Sequence, residues 1–180
     1  MKKSLVLLLV LCLVMLTACG SSGPSAALKA DLENAKASPE EIIGEMGEDG
    51  FGEAATKALI DKVLQFDYEL GEEVVDGDKA TVETTITTYP FGEIFSNVVT
   101  NFIAQALANA GNMTDEDMTE LMDKLLIEEL NKAEKTYKKT IKIELEQEDG
   151  VWVVQESTEM SNALTGGMLD FANKMNGSGQ

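Results

Sequence analysis

Lys142-Ile143-Glu144-Leu145-Glu146-Gln147-Glu148-Asp149-Gly150-Val151-Trp152-Val153-Val154 is the stretch whose reading decides the fold. Apolar and charged residues alternate along its first half, the period of a half-buried strand. Asp149-Gly150 is a favoured two-residue hairpin turn, because both residues tolerate positive φ. The hairpin runs over Lys138–Glu148 and Val151–Ser157. It gathers Ile141, Ile143, Leu145, Trp152 and Val154 on one face. Lys142, Glu144 and Glu146 fall on the other, which is expected to meet water.

A second hairpin lies upstream, where Phe66–Val75 and Lys79–Tyr89 flank Asp76-Gly77-Asp78. A two-residue turn at Asp76-Gly77 would set Val82 opposite Gly71 and Ala80 opposite Glu73. A three-residue loop sets Val74 opposite Ala80, Leu70 opposite Thr84 and Tyr68 opposite Ile86. One slip moves every side chain to the other face, so the register that gathers the apolar groups is preferred.

Around the hairpins the spacing is helical. Residues 26–36 form one helix, and Ser38-Pro39-Glu40-Glu41 starts a short one ending near Gly47. Gly47–Gly52 is a glycine-rich loop, and residues 53–65 present Ala55, Leu59, Val63 and Phe66 on one face. Between the hairpins Phe91–Ala110 ends at Gly111, and Thr114-Asp115-Glu116-Asp117 caps the next helix. That helix shows Met118, Leu121, Met122, Leu125 and Leu130 at core spacing. A last helix covers about 158–174 with Met160, Leu164, Met168, Leu169 and Phe171, and the tail 176–180 is expected to fray.

The N-terminus carries an address. Lys2 and Lys3 precede an uncharged apolar run from Leu5 to Leu16, followed by Thr17-Ala18-Cys19, the layout of a secretory signal. The run is short of the roughly 20 residues of a membrane span. Leu16-Thr17-Ala18-Cys19 resembles the bacterial lipobox, in which cleavage precedes a cysteine bearing diacylglycerol; the alternative is an ordinary secretory peptide. On the lipobox reading, residues 1–18 are removed and Cys19 is lipidated. Residues 19–25 are then the lipidated cysteine and a flexible tether, of which the six residues 20–25 reach at most about 20 Å, and 26–175 form a single domain.

Processing at that point leaves 12 lysines against 32 acids, a net charge of −20, with no arginine and no histidine. No basic footprint exists for nucleic acid, so that class of partner is excluded. Cys12 leaves with the signal and Cys19 takes the lipid, so no thiol remains for a disulfide, a nucleophile or a typical zinc site. No cofactor or metal is expected. Asp76-x-Asp78 and the other acidic clusters lack the spacing of a calcium loop.

Gly77-Asp78-Lys79-Ala80-Thr81-Val82 and Asp149-Gly150-Val151-Trp152-Val153-Val154 are similar to strands of small bacterial lipoproteins with a nuclear transport factor 2-like (cystatin-like) fold. That resemblance implies an α+β domain in which N-terminal helices wrap a curved antiparallel sheet around a cone-shaped cavity. The helical pair 91–133 between the hairpins departs from the family pattern. Enzymes of this fold commonly use histidine, aspartate and tyrosine inside the cone. Here histidine is absent, and Asp67 and Glu83 are expected to face water, so no catalysis is expected.

Ile94–Thr114 is a run of 21 uncharged residues in a chain that is 26% charged. Its apolar face is Ile94, Phe95, Val98, Val99, Phe102, Ile103, Ala106 and Leu107. An amide stripe, Asn97, Asn101, Gln105 and Asn109, runs beside a small-residue stripe, Ser96, Thr100, Ala104 and Ala108. Small residues permit close helix approach and amides can bond across it. The helix is read either as the buried centre of its own domain, as a surface for self-association or a partner, or as a membrane-dipping element.

Two functions follow for a lipid-anchored protein on the extracytoplasmic face of the cell membrane. It binds a small ligand in a cavity lined by Tyr68, Ile86, Trp152 and Val154. Alternatively it is a cell-envelope interaction module using helices 91–133, with Asn97, Asn101, Ala104, Gln105 and Ala108 in contact, or using its acidic surface.

Overall fold

The computed structural model describes residues 23–37, 51–109 and 113–177. The signal, Cys19, the Ser38–Gly47 helix, Gly111 and residues 178–180 lie outside the described residues. The elements run α1 (Pro24–Ala37), α2 (Glu53–Val63), β1 (Asp67–Asp76), β2 (Lys79–Thr88), α3 (Phe91–Ala108), α4 (Asp115–Lys132), β3 (Tyr137–Glu148), β4 (Val151–Val154), α5 (Thr158–Leu164) and α6 (Met168–Met175). The fold is α+β, with one antiparallel sheet in the order β1-β2-β3-β4.

The β3–β4 hairpin follows local chemistry. Glu148 pairs with Val151 and Leu145 with Val154, so Asp149-Gly150 is the turn. Asp149 has φ 50° and Gly150 φ 83°, the positive values that a tight turn of this hand requires. Strand β4 stops at Val154, three residues short of the expected Ser157.

The first hairpin mixes two registers. Tyr68 pairs with Ile86 and Leu70 with Thr84, as expected, but Val74 pairs with Thr81 and Val75 with Ala80. A bulge between Leu70 and Glu73 absorbs the extra residue, and Gly77-Asp78 forms the two-residue turn. Gly71 sits in that bulge, where a Cβ would lie 3.3 Å from the Glu83 carbonyl oxygen. The bulge lets one strand satisfy the turn at one end and the apolar pairing at the other.

Two apolar clusters hold the layers. The first joins the inner face of the sheet (Ala80, Val82, Ile86, Ile141, Ile143, Leu145) to Leu28 and Leu32 of α1 and to Met160, Ala163 and Leu164 around α5. Phe66 belongs here, at the entry to β1, rather than to the α2 face on which its spacing placed it. The second cluster lies among α2, α3 and α4, with Ala55, Leu59, Val63, Tyr89, Phe91, Phe95, Leu126 and Leu130. The outer face of the sheet mixes polar pairs with exposed valines: Lys79 pairs with Glu146 at 2.7 Å and the Thr85 and Thr140 hydroxyls meet at 2.8 Å, while Val74, Val151 and Val153 stand in water on the same face.

Helix ends follow their caps. Thr114 Oγ1 accepts the Asp117 N–H at 3.2 Å, while Asp117 accepts the Thr114 N–H at 2.8 Å, the expected reciprocal cap. Pro24 is the first residue of α1, so the helix takes Pro24 and Ser25 from the expected tether. The expected single C-terminal helix is two, because Gly166 and Gly167 take φ 54° and 82°. The chain turns there so that α6 packs on α3, and Gly92 N–H donates to Gly166 O at 3.1 Å. Among the described residues no helix is long and apolar enough to cross a membrane.

Candidate functional site

Helix α3 is buried at one end and exposed at the other. Its first half is gripped from several sides: Phe91 and Val98 are fully buried, and Ile94 and Phe95 nearly so. The Phe95 ring meets Phe51 edge-on at 6.0 Å and Phe171 of α6 at 6.4 Å. Gly92 makes this approach possible, since a Cβ there would stand 2.5 Å from Gly167 O.

Beyond Val98 the grip ends. Val99, Phe102 and Ala106 are half-buried, while Ile103 is 51% and Leu107 71% exposed. Asn97, Asn101, Ala104, Gln105 and Ala108, the five residues singled out for contact, are all exposed. Ile103 and Leu107, which spacing placed on the buried face, therefore stand in water. A helix buried on most sides is what the run of uncharged residues first suggests, and only its first half is so. The reason is packing reach: α4 covers one flank of α3 and the eight-residue α6 another, and neither encloses the last turns.

The polar groups of this surface are mostly idle or turned inward. Thr100 Oγ1 donates to Ser96 O at 2.8 Å, and the Asn109 amide donates to Gln105 O at 2.8 Å. Asn97 makes a long contact of 3.4 Å to Glu129. The side-chain amides of Asn101 and Gln105 make no hydrogen bond among the described residues.

The residues expected to line a cone-shaped cavity do something else. Ile86 is fully buried in the first cluster, and Tyr68, Trp152 and Val154 pack against it. Tyr68 Oη donates to Glu33 Oε1 at 2.7 Å. Desolvation, then this bond, pushes the Tyr68 phenol up to about 12, while the same bond holds Glu33 below the usual carboxylate range. The sheet–helix space is filled by side chains, because α1 lays Leu28 and Leu32 directly onto the strands.

Open clefts lie elsewhere. One of about 620 Å³ sits at the hairpin-tip end of the sheet, lined by Val74, Asp76, Lys79, Glu144, Glu146 and Glu156 among others. A second, about 400 Å³, runs beside α3 between Glu93, Ser96, Tyr137, Asp170 and Lys174. A third, about 150 Å³, separates α1 from α5. None of the three touches the four expected cavity residues. Sequence reasoning did not anticipate them, although Gly166-Gly167 was a visible signal for the break that shapes the second.

Asp67 and Glu83 are exposed, and Asp67 is paired with Lys135 at 2.8 Å. Among the described residues no group of three or more acids, histidines or cysteines is arranged to hold a metal ion.

No protein-family model matches the sequence, and no curated protein does. Among solved structures the chain is similar to a candidate lipoprotein of Bacillus subtilis, at 11% identity and a TM-score of 0.46, over 71% of this chain. The match covers 44% of that protein, so this chain spans less than half its length. The overlap is loose.

Proposed function

We propose that this chain is a lipid-anchored protein of the extracytoplasmic membrane face, acting without catalysis as an interaction module of the bacterial cell envelope. Cys19 is its attachment point, and the second half of α3 is its contact surface. One observation carries this reading: Ile103 and Leu107 are 51% and 71% exposed on a helix half that bears no charge. Val74, Val75, Val151, Val153 and Met175 are exposed as well, but Ile103 and Leu107 are adjacent on one stripe of an uncharged helix, and grouped apolar side chains in water support a docking surface. The nuclear transport factor 2-like arrangement belongs to the same reading, supported by α1 lying across the sheet. Filling of the sheet core by Leu28, Leu32 and Ile86 weighs against a small ligand in its cone.

The test is photo-crosslinking in intact cells from position 105 of the full-length protein. Covalent protein adducts from Gln105, absent from Glu83 on the outer sheet face, support the contact surface. Equal or no adducts from both positions overturn it. Anchoring is tested separately: Cys19→Ala is expected to abolish labelled fatty-acid incorporation and release the protein from membranes.

A further inference from the structure

We propose that the occupant of the α3 surface is a second copy of this chain, in a twofold-symmetric helix pair whose axis passes beside Ala104. This rests on the contact surface proposed above and names its partner. Thr100, Ile103, Ala104, Leu107 and Ala108 are all exposed and recur at the spacing of a single helical stripe. A stripe of this kind faces another element in a folded assembly, and α3 already has a different face against α4.

Charge selects the partner. The processed chain carries a net −20, so two copies repel wherever their charged faces meet. The run 94–114 is where they can approach without that repulsion. A basic partner would gain more from the acidic surface than from the stretch that lacks charge. The flanking amides point the same way. A twofold interface must be complementary to itself, and a carboxamide carries both a donor and an acceptor, so it can pair with its own copy. Lysine or glutamate at Asn101 and Gln105 could not. These two side chains have no partner among the described residues, leaving their donors and acceptors free for such bonds.

The small residues fix the geometry. In an antiparallel pair centred on Ala104, Thr100 of one copy lies opposite Ala108 of the other, which lets the helices come close. Ile103 and Leu107 then close the flanks. Anchoring through Cys19 would confine both copies to one surface and raise their effective concentration, so a modest contact suffices.

The test is oxidative crosslinking of the full-length protein in membranes, with Ala104→Cys compared with Glu83→Cys and with wild type. Wild type sets the background from Cys12 and Cys19. The expected result is a covalent band at twice the monomer mass for Ala104→Cys alone, lost when Leu107→Asp is added. No such band, or one equally strong from Glu83→Cys, overturns the self-pairing. If Gln105 photo-adducts meanwhile contain a different protein, the contact surface survives and the second copy falls. If Gln105 gives no adducts, both fall. Position 104 is exposed, and Leu107 is 71% exposed, so neither change disturbs the core.

Discussion

Tyr68 on β1 and Glu33 on α1 share a hydrogen bond of 2.7 Å that closes the rim of the sheet core. Lys36 lies above the same ring, 4.9 Å from its centroid, so the phenol sits between a cation and a carboxylate. Desolvation raises the Tyr68 phenol most, and the bond adds to it while lowering Glu33, because it favours the neutral phenol and the charged carboxylate together.

Tyr68 is therefore expected to ionise near pH 12, a step followed by tyrosinate absorbance. Its folded value lies above the ordinary phenol value near 10. The stability it contributes is thus complete below about pH 10 and lost as pH rises through 12. Tyr68→Phe should remove that late step and cost no more than about 1 kcal/mol, since Glu33 is exposed and water replaces the phenol.

Glu73 on β1 holds the start of α1. It accepts the Ser25 N–H at 2.9 Å and the Ser25 hydroxyl on the same oxygen. The hydroxyl bond first and the backbone bond second lower the Glu73 pKa. This contribution is present above the ordinary carboxyl value and lost as pH falls through the lowered one. Glu73→Ala should speed amide exchange at residues 26–28 while leaving the β3–β4 hairpin protected.

Glycine contexts separate strain from crowding. At Gly166, φ is 54° and a Cβ would fall 1.9 Å from Tyr89 O, so Gly166→Ala should cost at least about 2 kcal/mol. At Gly77, φ is 65° but nothing lies within 4 Å, so Gly77→Ala should cost only about 1 kcal/mol. Urea midpoints of the two variants check the order, and a reversal would refute the close approach of the Gly166-Gly167 turn to Tyr89 and the start of α3.

The two halves of α3 should answer truncation differently. Phe91 is fully buried, and Phe91→Ala should lose about 3–5 kcal/mol. Leu107 is 71% exposed in the single chain, and Leu107→Ala should change the stability of the monomer, measured at a dilution that separates copies, by less than about 0.5 kcal/mol. Thermal unfolding of the full-length protein in detergent measures both.

The Thr114 cap is a local device with a local cost. Thr114→Ala should destabilise α4 by about 1 kcal/mol, read as faster amide exchange in its first turn.

Legibility in the sequence followed the range of the interactions. Asp149-Gly150, the Thr114–Asp117 cap and the period of the strands were readable because each depends on residues within four positions. The register of the first hairpin was half readable. Tyr68–Ile86 followed the apolar pattern, but the bulge at Gly71-Glu72 answers two constraints at once, which neither the turn nor the pattern shows alone. The candidate surface was readable as an oddity, a long uncharged run with amide and small-residue stripes. Its exposure was not, because hydropathy reports what a side chain prefers and not whether another element arrives to cover it.

By itself, the sequence determined the α+β composition, both hairpins, the N-terminal cap of α4, the absence of histidine and the acidic charge. All are properties of residue type and near neighbours. Tertiary structure alone decided that Leu28 and Leu32 fill the space beneath Ile86, that α6 packs on α3, and that Leu107 stays in water. Each of these depends on which distant elements meet, and on how far they reach.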